Sequence, residues 1–365
     1  MLDQTARSDL PLVEVDDLHV RFFDGDETVW AVNGVSFELM PGEVLCIIGE
    51  SGSGKSVTMR ALMRLLPSQR SVISGRIRVG NFDIMALDER RMSAIRGSTV
   101  SMVFQEPMTA LDPVYTLGRQ IGETLMRHEG CSRNTARARA LELLQLVKVP
   151  LPERRLDSYP HELSGGLRQR ALIAMALSCR PRLVLADEPT TALDASVQIQ
   201  ILLLLRKLQR ELGMGLIFVT HDLGVAAQIA DQVAVMYAGR IVELGSAGEV
   251  LLRPRHPYTK GLLASVARDP LRDHDIEAIP GSPPDLRVIT QGCSFAPRCK
   301  FARPVCATAV PRPRHVAADH VASCVLIEDL PHHDAPAAPL PRFPSPSPSP
   351  SPFPSPSPAS GREAC

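Results

Sequence analysis

The chain has 365 residues, with 40 Lys+Arg balanced by 40 Asp+Glu, and 44% of it is hydrophobic. That is enough to bury a full core, with two folded units expected, and it excludes a disulfide-stapled miniprotein. Zero net charge argues against a sequence-independent nucleic-acid binder, whose affinity rests on a basic surplus that neutralises phosphate.

In chain order, Val13, Val15, Leu18 and Val20 follow strand spacing and residues 35–39 alternate, which predicts two antiparallel edge strands. Residues 43–48 form a short apolar run of the kind buried on both faces of a sheet, leading directly into a glycine-rich loop and then a helical pattern over 57–66 that stops before Pro67. Between 106 and 180 strand signals vanish, and helices are predicted over 117–127, 134–147 and 167–178. Apolar strands return at 183–186 and 216–219, followed by helical stretches at 196–212 and 223–229, so parallel strands joined by crossover helices are expected. The densest apolar run, 199–205, holds Gln200 and meets Arg206-Lys207, well short of the roughly 18 to 20 apolar residues of a membrane helix. The N-terminus has no basic stretch leading into an apolar one, so no export signal is expected and the cytoplasm is the expected compartment. From 331 the chain is a tail whose residues 343–358 alternate Pro with Ser almost strictly, which cannot build a packed core and favours extended polyproline II, a solvated, disordered spacer.

Gly49-Glu50-Ser51-Gly52-Ser53-Gly54-Lys55-Ser56 matches G-x-x-x-x-G-K-[ST] between a strand and a helix. The glycines let backbone N–H groups converge on a polyphosphate at a helix N-terminus, Lys55 reaches the β/γ oxygens, and Ser56 offers a hydroxyl to Mg²⁺. At the end of the 183–186 strand, Asp187 is expected to hold Mg²⁺ through water, and Glu188 to orient or deprotonate an attacking water.

Leu163-Ser164-Gly165-Gly166-Leu167-Arg168-Gln169-Arg170 resembles the LSGGQ-type signature of ATP-binding-cassette (ABC) ATPases. Ser164 can cap the helix that follows, and the two glycines permit close approach to a γ-phosphate. Gln105 resembles the Q-loop glutamine, Ala192-Leu193-Asp194 the D-loop, and His221 the switch histidine. The resemblance covers roughly residues 12–265. It implies an α/β P-loop NTPase fold: a RecA-like core, an antiparallel β subdomain and a helical subdomain (about 106–180) within an ABC ATPase domain over 1–267. It also implies ATP and Mg²⁺ as cofactors, the metal held through Ser56, Gln105 and Asp187, and catalysis through Glu188, His221 and Gln105. Head-to-tail dimerisation would place each ATP between residues 49–56 of one domain and Ser164, Gly165, Gly166 and Gln169 of the other, with Asp194 at the D-loop. Phe22, Phe23 and Trp30 compete for stacking on adenine; Phe23 is preferred, and plain strand packing is the alternative.

The run from Phe104-Gln105-Glu106-Pro107 to Asp112-Pro113, the run Asp187-Glu188-Pro189-Thr190-Thr191, and His256-Pro257-Tyr258-Thr259 resemble the oligopeptide/dipeptide importer branch. This implies a peripheral subunit on the cytoplasmic face of the membrane that hydrolyses ATP to drive peptide import. Its implied partners are a second ATPase, two membrane permeases and, indirectly, an extracytoplasmic binding protein. Nickel or glutathione is the alternative cargo, and a soluble ABC ATPase acting on nucleic acid or ribosomes the remote one.

Cys293-x5-Cys299-x6-Cys306-x17-Cys324 lies in a Cys-rich segment, 268–330, that resembles the C-terminal extension of that branch. Four thiolates can ligate a [4Fe–4S] cluster or, alternatively, tetrahedral zinc; the absence of a tight C-x2–4-C pair favours iron–sulfur, and a segment without metal is the third reading. Arg298, Lys300 and Arg303 are candidates to offset cluster charge or simply form a solvated basic face, and His315 and His320 read as polar surface. Cys46, inside the 43–48 run, reads as a small core residue.

Overall fold

The computed structural model describes residues 10–191, 193–266 and 279–330. The Pro/Ser tail, residues 1–9, Ala192 and the expected boundary near 267 lie outside them. Among the described residues twelve strands run in chain order: β1 (Val13–Asp24), β2 (Glu27–Leu39), β3 (Val44–Ile48), β4 (Ser71–Val79), β5 (Phe82–Asp83), β6 (Val100–Val103), β7 (Leu183–Asp187), β8 (Gly215–Thr220), β9 (Gln232–Tyr237), β10 (Arg240–Ser246), β11 (Arg314–Ala317) and β12 (His320–Ala322).

β2-β1-β4-β5 form an antiparallel sheet, so β2 lies at the edge as expected while β1 is interior, paired on its other side with β4. The second sheet has the order β11-β12-β10-β9-β3-β8-β7-β6. Its part from β9 to β6 is parallel, so the C-terminal ends of β3, β8, β7 and β6 share one edge. Parallel strands of this kind need cover on both faces, and β3 shows it. Val44, Cys46 and Ile48 pack toward the helices, while Leu45 and Ile47 pack toward the antiparallel sheet and the helix Lys55–Leu62. Cys46 is a core residue there, its thiol pushed up by burial.

Residues 104–182 contain no strand. Leu117–Glu129, Arg133–Leu146 and Gly165–Ala176 are helices, each within two residues of the predicted bounds at either end, and the later Ala195–Leu212 and Leu223–Ile229 agree as closely. Among the described residues no helix is long and apolar enough to cross a membrane.

The Cys-rich segment is stitched into this body. β12 pairs antiparallel with β10, the Ser323 amide donates to the Val242 carbonyl at 2.8 Å, and the Ser246 amide to the Asp319 carbonyl at 3.1 Å. Contrary to its reading as polar surface, His320 is 1% exposed, because its Nε2 lies 2.7 Å from the buried Glu243 carboxylate. The same carboxylate accepts the backbone N–H groups of Arg255 at 2.6 Å and His256 at 2.9 Å. A buried anion with three partners is satisfied, and it ties β10, β12 and the start of the helix Pro257–Val266 together.

Candidate nucleotide site

The shared C-terminal edge delivers four groups side by side: the 49–56 loop after β3, His221 after β8, Asp187 and Glu188 at β7, and Gln105 after β6. Ligands of α/β sheets bind at such edges. The loop's path depends on glycine at both ends. Gly49 has φ 151 and a Cβ there would lie 2.2 Å from the Met236 carbonyl oxygen; Gly54 has φ 100 and a Cβ would lie 2.4 Å from that of Ala31. Any side chain would force the loop off β9 or β2.

Lys55 Nζ folds back into the loop, donating to the Gly49 and Glu50 carbonyls at 2.8 Å each and approaching Ser53 Oγ at 3.4 Å. Burial lowers its pKa, and the carboxylates of Glu188, Asp187 and Glu50 oppose that. Ser56 Oγ donates to Asp187 Oδ1 at 2.7 Å. Asp187 is 2% exposed, and burial raises its pKa against the Ser56 hydrogen bond. This hydroxyl and carboxylate form an oxygen pair of the kind that suits a hard cation such as Mg²⁺.

Glu188 sits at φ 45, left-handed for a non-glycine residue. Its Oε2 gathers Thr191 Oγ1 at 3.0 Å, Gln105 Nε2 at 3.3 Å and His221 Nδ1 at 3.3 Å. Gln105 therefore joins Glu188 here, and not the Ser56–Asp187 pair expected to share the metal with it. Phe23 is 42% exposed, whereas Phe22 packs into the core between the sheets and Trp30 lies under the Arg21 guanidinium at 4.9 Å. Of the three aromatics, Phe23 is the open one.

Ser164 caps Gly165–Ala176, its Oγ accepting from the Leu167 amide at 3.4 Å. Gln169 lies one turn in, 1% exposed and directed into the protein, with its Nε2 lacking a hydrogen-bond partner among the described residues; it cannot face a phosphate at the helix start. Asp194 caps Ala195–Leu212, accepting from Val197 N at 3.0 Å and Ser196 Oγ at 2.7 Å, and the Ser196 hydroxyl above all holds its pKa down.

Cys293, Cys299, Cys306 and Cys324 do converge, lining one small cavity with His256, Phe295, Phe301 and Leu326. Burial raises the thiols of Cys293 and Cys299, and that of Cys324 to about 11, which favours the neutral form. Yet no three His, Cys, Asp or Glu side chains among the described residues stand close enough to hold a metal ion. As placed, the thiols do not fit a cluster or zinc. Nor do the basic residues face them as a group: Arg303 pairs with Asp329 at 2.7 Å, and Arg298 turns away to the 49–56 loop. That contact, Arg298 to Glu50, has no signature in the sequence, since 248 residues separate its partners.

Comparison with known proteins gives two family matches along the chain. The ABC transporter family matches residues 32–191, and the family described as the oligopeptide/dipeptide transporter C-terminal region matches 242–306. The dipeptide transport ATP-binding protein DppD of Bacillus subtilis is 48% identical over 323 residues, covering 88% of this chain and 96% of that one. The oligopeptide transport ATP-binding protein OppD of the same organism is 47% identical, covering 90% and 92%. A putative peptide import ATP-binding protein of Brucella melitensis is 49% identical, covering 88% and 98%. Among solved structures, a dimeric ATP-binding cassette in a post-hydrolysis state with ADP and Pi superposes with TM-score 0.58 at 31% identity, covering 64% of this chain and 98% of that one.

Proposed function

The chain belongs to the ATP-binding-cassette transporter ATPases, and we propose that it drives import of di- and oligopeptides. The observation that carries the cargo is the extent of the likeness: it runs through the cassette and on through the C-terminal region, at 47–49% identity to proteins named for peptide transport. The proposed assembly is two ATPase subunits, this chain with a similar partner, on the cytoplasmic face of two membrane permeases fed by an extracytoplasmic binding protein.

In the proposed mechanism Phe23 stacks on adenine, the 49–56 backbone and Lys55 hold the phosphates, and Ser56 and Asp187 would hold Mg²⁺, which would supply positive charge to offset that of the phosphates. Glu188 positions the attacking water and accepts its proton, with Gln105, Thr191 and His221 fixing the carboxylate. Ser164, Gly165 and Gly166 close the site from the partner subunit; Gln169 supports that helix from within. Loading would require Ser56 to release Asp187, and Lys55 to exchange carbonyl partners for phosphate. For the four cysteines, an iron–sulfur cluster, or zinc as alternative, would require the converging thiols to draw in from the positions they hold here, which do not fit either metal; iron, sulfide and zinc analysis of anaerobically purified protein tests it, and metal-free protein removes both.

The test of function is reconstitution. The chain should co-purify with permease subunits from membranes and support ATP-dependent uptake of labelled dipeptides into vesicles, and Lys55→Ala should abolish uptake. Uptake of nickel or glutathione in place of peptide would reassign the cargo.

A further inference from the structure

The 49–56 loop contains an anion of its own. Glu50 belongs to it, and its carboxylate is near enough to act electrostatically on Lys55. Such a group is a liability beside a site for polyphosphate, because it repels the ligand and offers Lys55 an internal counter-ion. In this chain it is engaged elsewhere. Arg298 makes a two-pronged ion pair with Glu50, Nη1 to Oε2 at 2.6 Å and Nη2 to Oε1 at 3.0 Å.

The guanidinium is well anchored for that task. Its side chain is 6% exposed against 26% for Glu50, Nε donates to the Pro280 carbonyl at 2.8 Å, and Nη1 lies 3.4 Å from the Tyr237 hydroxyl. Parallel two-bond geometry fixes the carboxylate in direction as well as charge. Tyr258 braces the same residue from the other side, its hydroxyl accepting the Glu50 amide N–H at 2.9 Å. The segment bearing Arg298 is itself tied to the antiparallel sheet, with the Trp30 amide donating to the Leu286 carbonyl at 2.9 Å and Arg287 pairing with Glu27 at 3.0 Å.

We propose that Arg298 is a positioning residue of the nucleotide site: by holding and neutralising Glu50, it leaves Lys55 free to face the phosphates of ATP. This rests on the reading of 49–56 as the phosphate loop. It also gives the segment that carries Cys293 and Cys299 a direct mechanical and electrostatic link to ATP binding, through the residue adjacent to Cys299.

The test measures binding of a fluorescent ATP analogue (mant-ATP) to the full chain. Arg298→Met should weaken binding on the order of tenfold, as expected when one partner of a desolvated ion pair is left alone. Adding Glu50→Gln to that variant should restore most of the affinity, because the unpaired anion is then gone; a brace that acted only through packing would not be relieved by a second loss. Wild-type affinity in Arg298→Met, or a double variant as weak as the single, overturns the proposal. If Arg298→Met does not fold, Arg298→Gln is measured instead: a loss that Glu50→Gln relieves supports the proposal, and wild-type affinity or an unrelieved loss overturns it. Lys55→Ala distinguishes the underlying reading, since unchanged affinity there would mean that 49–56 is not the ATP loop.

Discussion

Acid should loosen the packing that His256 provides between the main sheet and the cysteine cavity. The ring is 1% exposed, lies tilted against that of Phe295 with centroids 5.9 Å apart, and its Nδ1 accepts the Tyr258 amide N–H at 3.1 Å, which only a neutral imidazole can do. Burial pushes its pKa down from 6.5 to about 4; the Glu243 carboxylate pulls the other way, and the Lys260 ammonium adds to the fall. The unfolded chain takes up a proton near 6.5 that the folded chain refuses until about 4. Stability from this group is therefore complete above pH 6.5 and lost as the pH falls toward 4. At about 1.4 kcal/mol for each pH unit of that gap, the loss reaches about 3 kcal/mol. Urea denaturation of the full chain from pH 7.5 to 4, compared with His256→Gln, isolates it, because the glutamine carbonyl can still accept from Tyr258 and every other titration cancels in the difference. The gap between wild type and variant should narrow by about that amount across the window; a constant gap would refute the reasoning.

Three other outcomes follow from the site. Glu188→Gln keeps the size and hydrogen-bonding reach of the side chain but removes the proton acceptor, so ATP hydrolysis should fall roughly 10²- to 10⁴-fold with mant-ATP affinity retained; near-normal turnover would take Glu188 out of its proposed role. Lys55→Ala should weaken ATP binding by about 2–3 kcal/mol, the range of a charge-assisted hydrogen bond, in an equilibrium titration. Gly54→Ala places a Cβ at φ 100 against the Ala31 carbonyl oxygen, so melting temperature and ATP affinity should drop together, by about 1–3 kcal/mol in stability; an unchanged melt would mean that the loop can shift at little cost.

Much of this site was legible because the chemistry lies in short contiguous runs at strand ends: Gly49 to Ser56, Asp187-Glu188 and His221 each follow a buried apolar strand whose pattern is plain. β4 was not read, since Gly75 and the exposed Arg76 interrupt its alternation, and it becomes a strand by pairing with β1. β9 and β10 are short runs that acquire their identity from β3 and from each other. Gln169 sits within a motif, but position on the helix decides which way a side chain points, and one turn into Gly165–Ala176 that direction is inward. The cysteine spacing announced convergence correctly, whereas ligating distance is a tertiary property that spacing does not set. Long-range polar pairs such as Arg298–Glu50 and His320–Glu243 leave no periodicity at all.

Those contacts also tie the C-terminal segment to the cassette. The sheet edge that presents Gly49, His221, Glu188 and Gln105 belongs to strands from β3 to β6, while the C-terminal segment attaches at β10, on the other side of β3. Backbone pairing alone would leave it remote from the phosphates. The chain bridges that span with side chains: Glu243 ties β10 to His320 and to the residues leading into Pro257–Val266, Tyr258 from that helix reaches the Glu50 amide, and Arg298 reaches its carboxylate. Each link is buried or nearly so, and buried polar links are costly to leave unmade. Two of these links end on Glu50, one at its amide and one at its carboxylate, so a displacement of the C-terminal segment that kept them would act on the phosphate loop.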